Sequence, residues 1–348
     1  MQNNETNFTR RERYKGTHPK AFKDKYKEQS PLQYAADIEK VMAQGRTPAG
    51  MHRSICVAEI LNILQIIPGN IGLDATLGYG GHSVEILKCL NGSGKLFATD
   101  IDPFELPRTQ QRLVALGYNE HILAIRQINF SAIDQVVYEA GLLNFVLADL
   151  GVSSMQIDNP DRGFSIKVAG PLDLRLNPQT GLSAATLLKK ISALKLAELF
   201  INNADEPYAE ILAAAIIKNI AEGNLITTTT HLKTIITHTL KLNTKLGADD
   251  VKKTCQRCFQ ALRIAVNNEF GVLDTFLQKL PDALQTGGRV AIMSFHSGED
   301  RRVKKSFQTF FRAGIYSQIA PEIIRASAAE CFANPRAKSA KLRWAIKA

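Results

Sequence analysis

The chain has 348 residues, of which 45% are hydrophobic and 22% charged, so it can bury a full core and reads as a soluble globular protein of one large domain or two smaller ones. No segment reaches the about 20 uninterrupted apolar residues of a membrane span, and the first residues lack the apolar stretch of a secretory leader. The formal charge of +10 favours a polyanionic partner, nucleic acid first, and an odd count of 5 cysteines fits reduced thiols in the cytoplasm better than a disulfide framework.

Residues 1–45 crowd basic side chains from Arg10 to Lys27 with little apolar periodicity, as expected of a flexible tail that either grips phosphates or is simply solvated. A helix is expected from Ile55 to Leu64. A strand at 71–77 then runs into Gly78-Tyr79-Gly80-Gly81-His82, and the helical pattern Val84-Glu85-Ile86-Leu87 follows at once. Such a strand–turn–helix brings backbone N–H groups and a helix N-terminus beside a ligand, and glycine lets that ligand come close. The next strand, 95–100, ends in Asp100, about 20 residues past the turn, where an acid reaches the two ribose hydroxyls of a nucleoside. Asp102 reads as a turn or capping acid before Pro103. Strands at 121–127 and 143–149 complete an alternating pattern, and Asp149 emerges from a buried strand at the end where open α/β sheets bind ligands.

Past Asp149 the pattern turns helical: Ser183 to Lys190, Ala193 to Ile201, Ala209 to Ala221, and His231 to Leu240 behind four threonines that can cap it. One long helix is expected from Phe259 to Leu280, a glycine turn and strand over 287–295, and a closing edge strand over 341–347. Cys255-x-x-Cys258 has no second pair or nearby histidine and reads as two small helix residues rather than a zinc site.

Six further segments in register carry a resemblance: Leu147-Ala148-Asp149-Leu150-Gly151-Val152-Ser153-Ser154-Met155-Gln156, Asp161-Arg162-Gly163-Phe164-Ser165, Gly170 to Arg175, Phe259 to Asn267, Ser294-Phe295-His296-Ser297-Gly298-Glu299-Asp300-Arg301, and Asn334 to Arg343. In this order they resemble the bacterial small-subunit ribosomal RNA methyltransferase H family, also called MraW, from about His52 onward. The resemblance implies a class I, Rossmann-like α/β methyltransferase with an inserted helical domain. It also implies S-adenosylmethionine as methyl donor and transfer to the exocyclic N4 of a cytidine in small-subunit ribosomal RNA. The expected division is a tail over 1–45, a methyltransferase domain over 46–155 and 253–348, and a helical substrate-recognition domain over 156–252. The family usually has leucine after Ser-Phe-His-Ser, where this chain has Gly298.

By the same resemblance Gly80, Gly81 and His82 meet the methionine end of the cofactor, Phe130 lies against the adenine, and Asp149 and Gln156 also touch the cofactor; Gly78 belongs to the same turn. Cytosine N4 is a poor nucleophile that gains most from orientation and must lose a proton. Acceptors for it are expected from Asp149, from the Ser153–Ser154 turn, or from the Ser294–Ser297 strand end, with His296 either carrying a proton or ordering its loop. A target base must be unstacked, and Phe164 beside Arg162, and Phe295, are candidate stacking surfaces. Arg162, Arg301, Arg302, Lys304, Lys305, Arg336, Lys338, Lys341 and Arg343 are the cations expected to face phosphates. The expected partners are ribosomal RNA or the small ribosomal subunit, and a second copy of the chain is a further candidate; no metal and no membrane are expected. Three other readings stand beside this one, the first a divergent relative that methylates a different RNA site. A catalytically idle RNA-binding or assembly factor would use the same scaffold, and a nicotinamide dehydrogenase is disfavoured because the glycine turn is not G-x-G-x-x-G.

Overall fold

Apolar runs rich in branched residues become the core strands of a seven-stranded sheet in the computed structural model, which describes residues 54–348. The basic tail expected over 1–45 lies outside the described residues. The strands are β1 (Ile71–Asp74), β2 (Lys95–Thr99), β3 (Leu123–Arg126), β4 (Leu143–Asp149), β5 (Leu284–Ser294), β6 (Tyr316–Ile319) and β7 (Lys341–Lys347). Their order is β3-β2-β1-β4-β5-β7-β6. The first five pair in parallel, and β7 pairs antiparallel to both β5 and β6.

Parallel strands covered on both faces need side chains that suit two cores. In β4 and β5 alternate residues supply them: Phe145, Leu147, Ala291 and Met293 join one apolar cluster, Val146, Ala148, Val290 and Ile292 the other. The first face is covered by α1 (Val57–Leu64), α2 (Gly81–Leu90) and α3 (Glu105–Ala115). The second is covered by α4 (Ile133–Ala140), α11 (Glu269–Ala283) and α12 (Ser297–Arg312).

Between β4 and β5 the chain runs through short α5 (Ser154–Asp158), then α6 (Ala184–Lys190), α7 (Ala193–Ala204), α8 (Ala209–Ala221), α9 (Thr229–Asn243) and α10 (Ala248–Asn267). These helices, α5 excepted, close around a third apolar cluster that includes Leu188, Phe200, Leu212, Ile236, Cys258 and Leu262. Ser183 caps α6, and among the four threonines it is Thr228 that caps α9. Cys255 and Cys258 lie buried as free thiols in α10, which crosses the 252/253 boundary. A short α13 (Ala328–Ala333) precedes β7. Among the described residues no helix is long and apolar enough to cross a membrane.

Two expectations are corrected. The single helix from Phe259 to Leu280 is two, because Asn268 takes a left-handed φ of 48° that ends α10 and starts α11 in a new direction. The strand over 341–347 exists but is interior, lying between β5 and β6, so the edge is β6. Four residues without strong alternation made β6 invisible in the sequence.

Candidate active site

The sheet order reverses beside β1, whose neighbours are β2 and β4, and the crevice at such a reversal is where α/β folds bind ligands. Three carboxylates mark it: Asp74 ends β1, Asp100 follows β2, and Asp149 ends β4. The glycine turn lies beside them. Gly78 and Gly80 adopt φ of 49° and 74°, the left-handed region open to glycine, and no side chain caps the start of α2 at Gly81 and His82. The turn is pinned from both sides: the Gly78 N–H donates to Asp100 Oδ2 at 2.8 Å, and the Thr109 hydroxyl donates to the Gly78 carbonyl at 2.7 Å.

Asp100 Oδ1 accepts the Asp102 N–H at 2.9 Å. Burial nonetheless pushes its carboxyl up to about 6, against the lowering effect of those two N–H groups. A carboxylate has about four lone-pair sites, so two N–H bonds leave room for a diol.

Asp149 is held through its backbone, whose N–H donates to Thr76 Oγ1 at 2.6 Å. Its Oδ2 lies 3.6 Å from His82 Nε2, while Oδ1 is buried with no hydrogen-bond partner among the described residues. Burial lowers the His82 imidazole, but Asp149 beside it, with Asp74 and Glu330, raises it net above its ordinary value. Asp74 takes the Ser83 hydroxyl at 2.6 Å, and burial still pushes its carboxyl up.

Asp102 does cap the following turn, accepting the Phe104 and Glu105 N–H groups on Oδ1. Its other oxygen holds two side chains expected elsewhere. Gln156 donates to Asp102 Oδ2 at 2.7 Å and accepts the Ser153 N–H, closing the capping box of α5. Arg162 donates to the same oxygen at 2.7 Å and is only 7% exposed. The phosphate-facing role expected of Arg162 is therefore corrected: its guanidinium is buried and paired. Ser154 opens α5, and its side chain lies outside the described set. Phe130 stands half-buried in a single helical turn after β3, edge-on to Phe276 at 5.2 Å between ring centres.

At the end of β5, His296 is the N-cap of α12. Its Nδ1 accepts the Glu299 N–H at 3.4 Å, while its Nε2 lies 3.2 Å from Glu299 Oε1 but is buried with no hydrogen-bond partner among the described residues. Burial raises Glu299, but His296 and Arg263 outweigh it and hold the carboxyl below its ordinary value. Glu269, His296 and Glu299 bring ligand-type atoms within 4.8 Å of one another, but Arg263 already spans both Glu269 oxygens. The half-buried Phe295 packs on the α1–α3 side of the sheet, and the half-buried Phe164 packs against the helical insertion.

Arg343 is a second correction: it is 7% exposed and bidentate on Asp300, so it faces no phosphate. Arg301, Lys304, Lys305 and Lys338 are exposed, Arg301 at 70%. Arg302 stacks over Phe270 at 4.0 Å, Arg336 pairs with Asp158 at 3.3 Å, and Lys341 is half-buried at the start of β7. Sequence reasoning missed Asp74, Thr76, Thr109 and Glu299. A signal existed for Asp74, since it ends a strand in an acid as Asp100 and Asp149 do; Thr76 and Thr109 act on distant backbone and carry none, and Glu299 acts locally, as the third helical residue of a capping box with His296.

A doubly wound sheet with a reversed final hairpin, its crevice lined by strand-end acids rather than a pyrophosphate loop, is the construction of a class I methyltransferase, which takes its methyl group from S-adenosylmethionine. The uncapped start of α2, the orphaned Asp149 oxygen and the spare capacity of Asp100 fit that cofactor's carboxylate, sulfonium and ribose. The chain belongs to the MraW methylase family, whose pattern matches residues 49–348. Among similar proteins, "Ribosomal RNA small subunit methyltransferase H 2" of Alkaliphilus metalliredigens is 62% identical across 100% of both chains. "Ribosomal RNA small subunit methyltransferase H 1" of Lachnoclostridium phytofermentans is 60% identical, covering 100% of this chain and 95% of its own. The protein of the same name from Agathobacter rectalis is 55% identical over 99% of each.

Proposed function

We propose that this chain methylates the exocyclic N4 of a cytidine in small-subunit ribosomal RNA. The names of relatives 55–62% identical over nearly their whole length support the RNA, and the resemblance in the six motifs supports the atom. The observation that carries the chemistry is Asp149: a strand-end carboxylate fixed by its own backbone and part-exposed at the sheet's reversal, with one oxygen buried and without a hydrogen-bond partner among the described residues. Such a substrate places the reaction in the cytoplasm.

Asp100 receives the ribose hydroxyls, and the turn Gly78–His82 with the first N–H groups of α2 receives the amino-acid end. When bound, S-adenosylmethionine supplies an electrophilic methyl group on a cationic sulfur. The Asp149 carboxylate accepts a hydrogen bond from the target amino group, orients its lone pair, and takes the proton that the nitrogen must lose. His82 Nε2 lies 3.6 Å from Asp149 Oδ2. His296, capping α12 through Nδ1, orders the β5–α12 loop. Residues 156–252 form the substrate-recognition insertion, and the exposed cations of α12 lie on phosphates.

Mass spectrometry of ribosomal RNA nucleosides, from cells with and without the gene, tests the reading. Loss of N4-methylcytidine is expected and an unchanged nucleoside profile refutes it; a lost methyl at another atom would correct the target.

A further inference from the structure

A buried arginine needs a reason, and the partners of Arg162 give one. It ends the turn Pro160–Arg162. Its Nη1 donates to Asp102 Oδ2 at 2.7 Å, and its Nη2 donates to the Leu176 carbonyl at 2.8 Å and the Arg175 carbonyl at 3.3 Å. Asp102 is saturated: two backbone N–H groups sit on one oxygen, Gln156 and Arg162 on the other, and its own N–H is the donor to Asp100 Oδ1.

On the far side, the turn around Leu174–Leu176 is fastened to the end of α10. The Leu176 N–H donates to Asn267 Oδ1 at 2.7 Å, and Asn267 Nδ2 donates to the Leu174 carbonyl at 2.8 Å. Leu174, itself buried, is held at φ 65°, a conformation costly for any residue with a Cβ. Direct bonds therefore run from the ribose-binding acid through Asp102 and Arg162 to the base of the helical insertion.

Stability alone does not call for this arrangement, since a buried ion pair is commonly matched or bettered by apolar residues of the same shape. What an apolar pair lacks is direction. The planar fork of one guanidinium ties the loop after β2, the turn after α5 and the Leu174–Leu176 turn into one geometry.

We propose that Asp102 and Arg162 are positioning residues that couple occupation of the crevice at Asp100 to ordering of the Leu174–Leu176 turn, and through it to the RNA-facing insertion. The inference rests on the methyl-transfer reading above. Hydroxyls bound to Asp100 fix its carboxylate, the carboxylate fixes the Asp102 N–H, and the Asp102 side chain fixes Arg162. Coupling of this kind is reciprocal, so seated RNA tightens the crevice by the same factor.

The test uses the full chain, S-adenosylhomocysteine as a non-reacting cofactor, and unmethylated small ribosomal subunits. In the wild type the cofactor is expected to slow amide exchange at Leu174–Leu176 and to tighten subunit binding about fivefold or more. In Arg162→Lys, and separately in Asp102→Asn, the tightening is expected to fall to within about twofold of none, with cofactor affinity in the absence of RNA within about threefold of wild type. A merely structural role lowers the unfolding midpoint of both variants and leaves the tightening factor intact, and that result overturns the proposal. So does cofactor that binds the wild type without slowing exchange at the turn, an arm that needs neither RNA nor a variant. Failure of the wild type to bind the cofactor at all is a different result and removes the methyltransferase reading itself.

Discussion

In the proposed site Asp100 is a carboxyl that needs its charge to bind a diol, and burial opposes that charge. Held up to about 6, it is mostly protonated just below that pH and ionised above it. A ribose donates two hydrogen bonds to the ionised form, so affinity for S-adenosylhomocysteine should rise from about pH 5 to about pH 7, up to tenfold per unit on the acid side. S-adenosylhomocysteine carries a neutral thioether, so the raised His82 meets no sulfonium charge in this measurement. Titration calorimetry tests this: Asp100→Asn should weaken binding by roughly 10- to 100-fold and remove the part of the slope centred near 6. An unchanged slope in the variant would acquit Asp100. Asp149 behaves differently. Its backbone anchor to Thr76 survives any side-chain change, so Asp149→Asn should lose roughly 10²- to 10⁴-fold in turnover while the urea midpoint stays near wild type. Near-normal methyl incorporation by the variant would remove Asp149 from the proton transfer.

At the scale of elements, the α11–α12 contact turns on one glycine. A Cβ at Gly298 would stand 2.6 Å from Phe270 Cζ and 3.2 Å from His296 Nδ1. The space that the family usually gives to leucine is filled here by Phe270, which also carries the Arg302 guanidinium 4.0 Å above its ring. Gly298→Leu should therefore cost about 1–3 kcal/mol in urea unfolding, and Phe270→Ala in the same chain should recover part of it; simple addition of the two losses would show that the ring and the glycine are independent. The elements themselves were mostly legible beforehand. Strands β1 to β4 and the helices α6 to α9 follow from period, caps and glycine, and the acids after β2 and β4 from their place at strand ends. What stayed hidden depended on contacts across the chain. Asn267-Asn268 is a local signal for a left-handed helix end, but the apolar stripe continuing past it outweighed it. Arg162 and Arg343 looked like RNA ligands because the sequence shows a charge and not the acid, Asp102 or Asp300, that buries it.

Over the whole molecule, the charge of +10 matters only where it reaches solvent. Arg301, Lys304 and Lys305 do so along one helix, whereas Arg162 and Arg343 are neutralised internally. Each phosphate contact adds about 0.7–0.9 to the slope of log affinity against log salt, so replacing those three side chains by alanine should lower the slope for RNA by about 2. Fluorescence anisotropy across a salt series measures it, and an unaltered slope would turn α12 away from the RNA. The position of β7 has a different consequence. Among the described residues it is the only strand that bonds β6 to the sheet, yet it is made after β6 and after the other six strands. A nascent chain stopped short of Lys341 thus exposes the outer rim of β5, a long apolar template open to any passing strand. Until those closing residues clear the translating machine, the nascent protein is a hazard of aggregation rather than a catalyst.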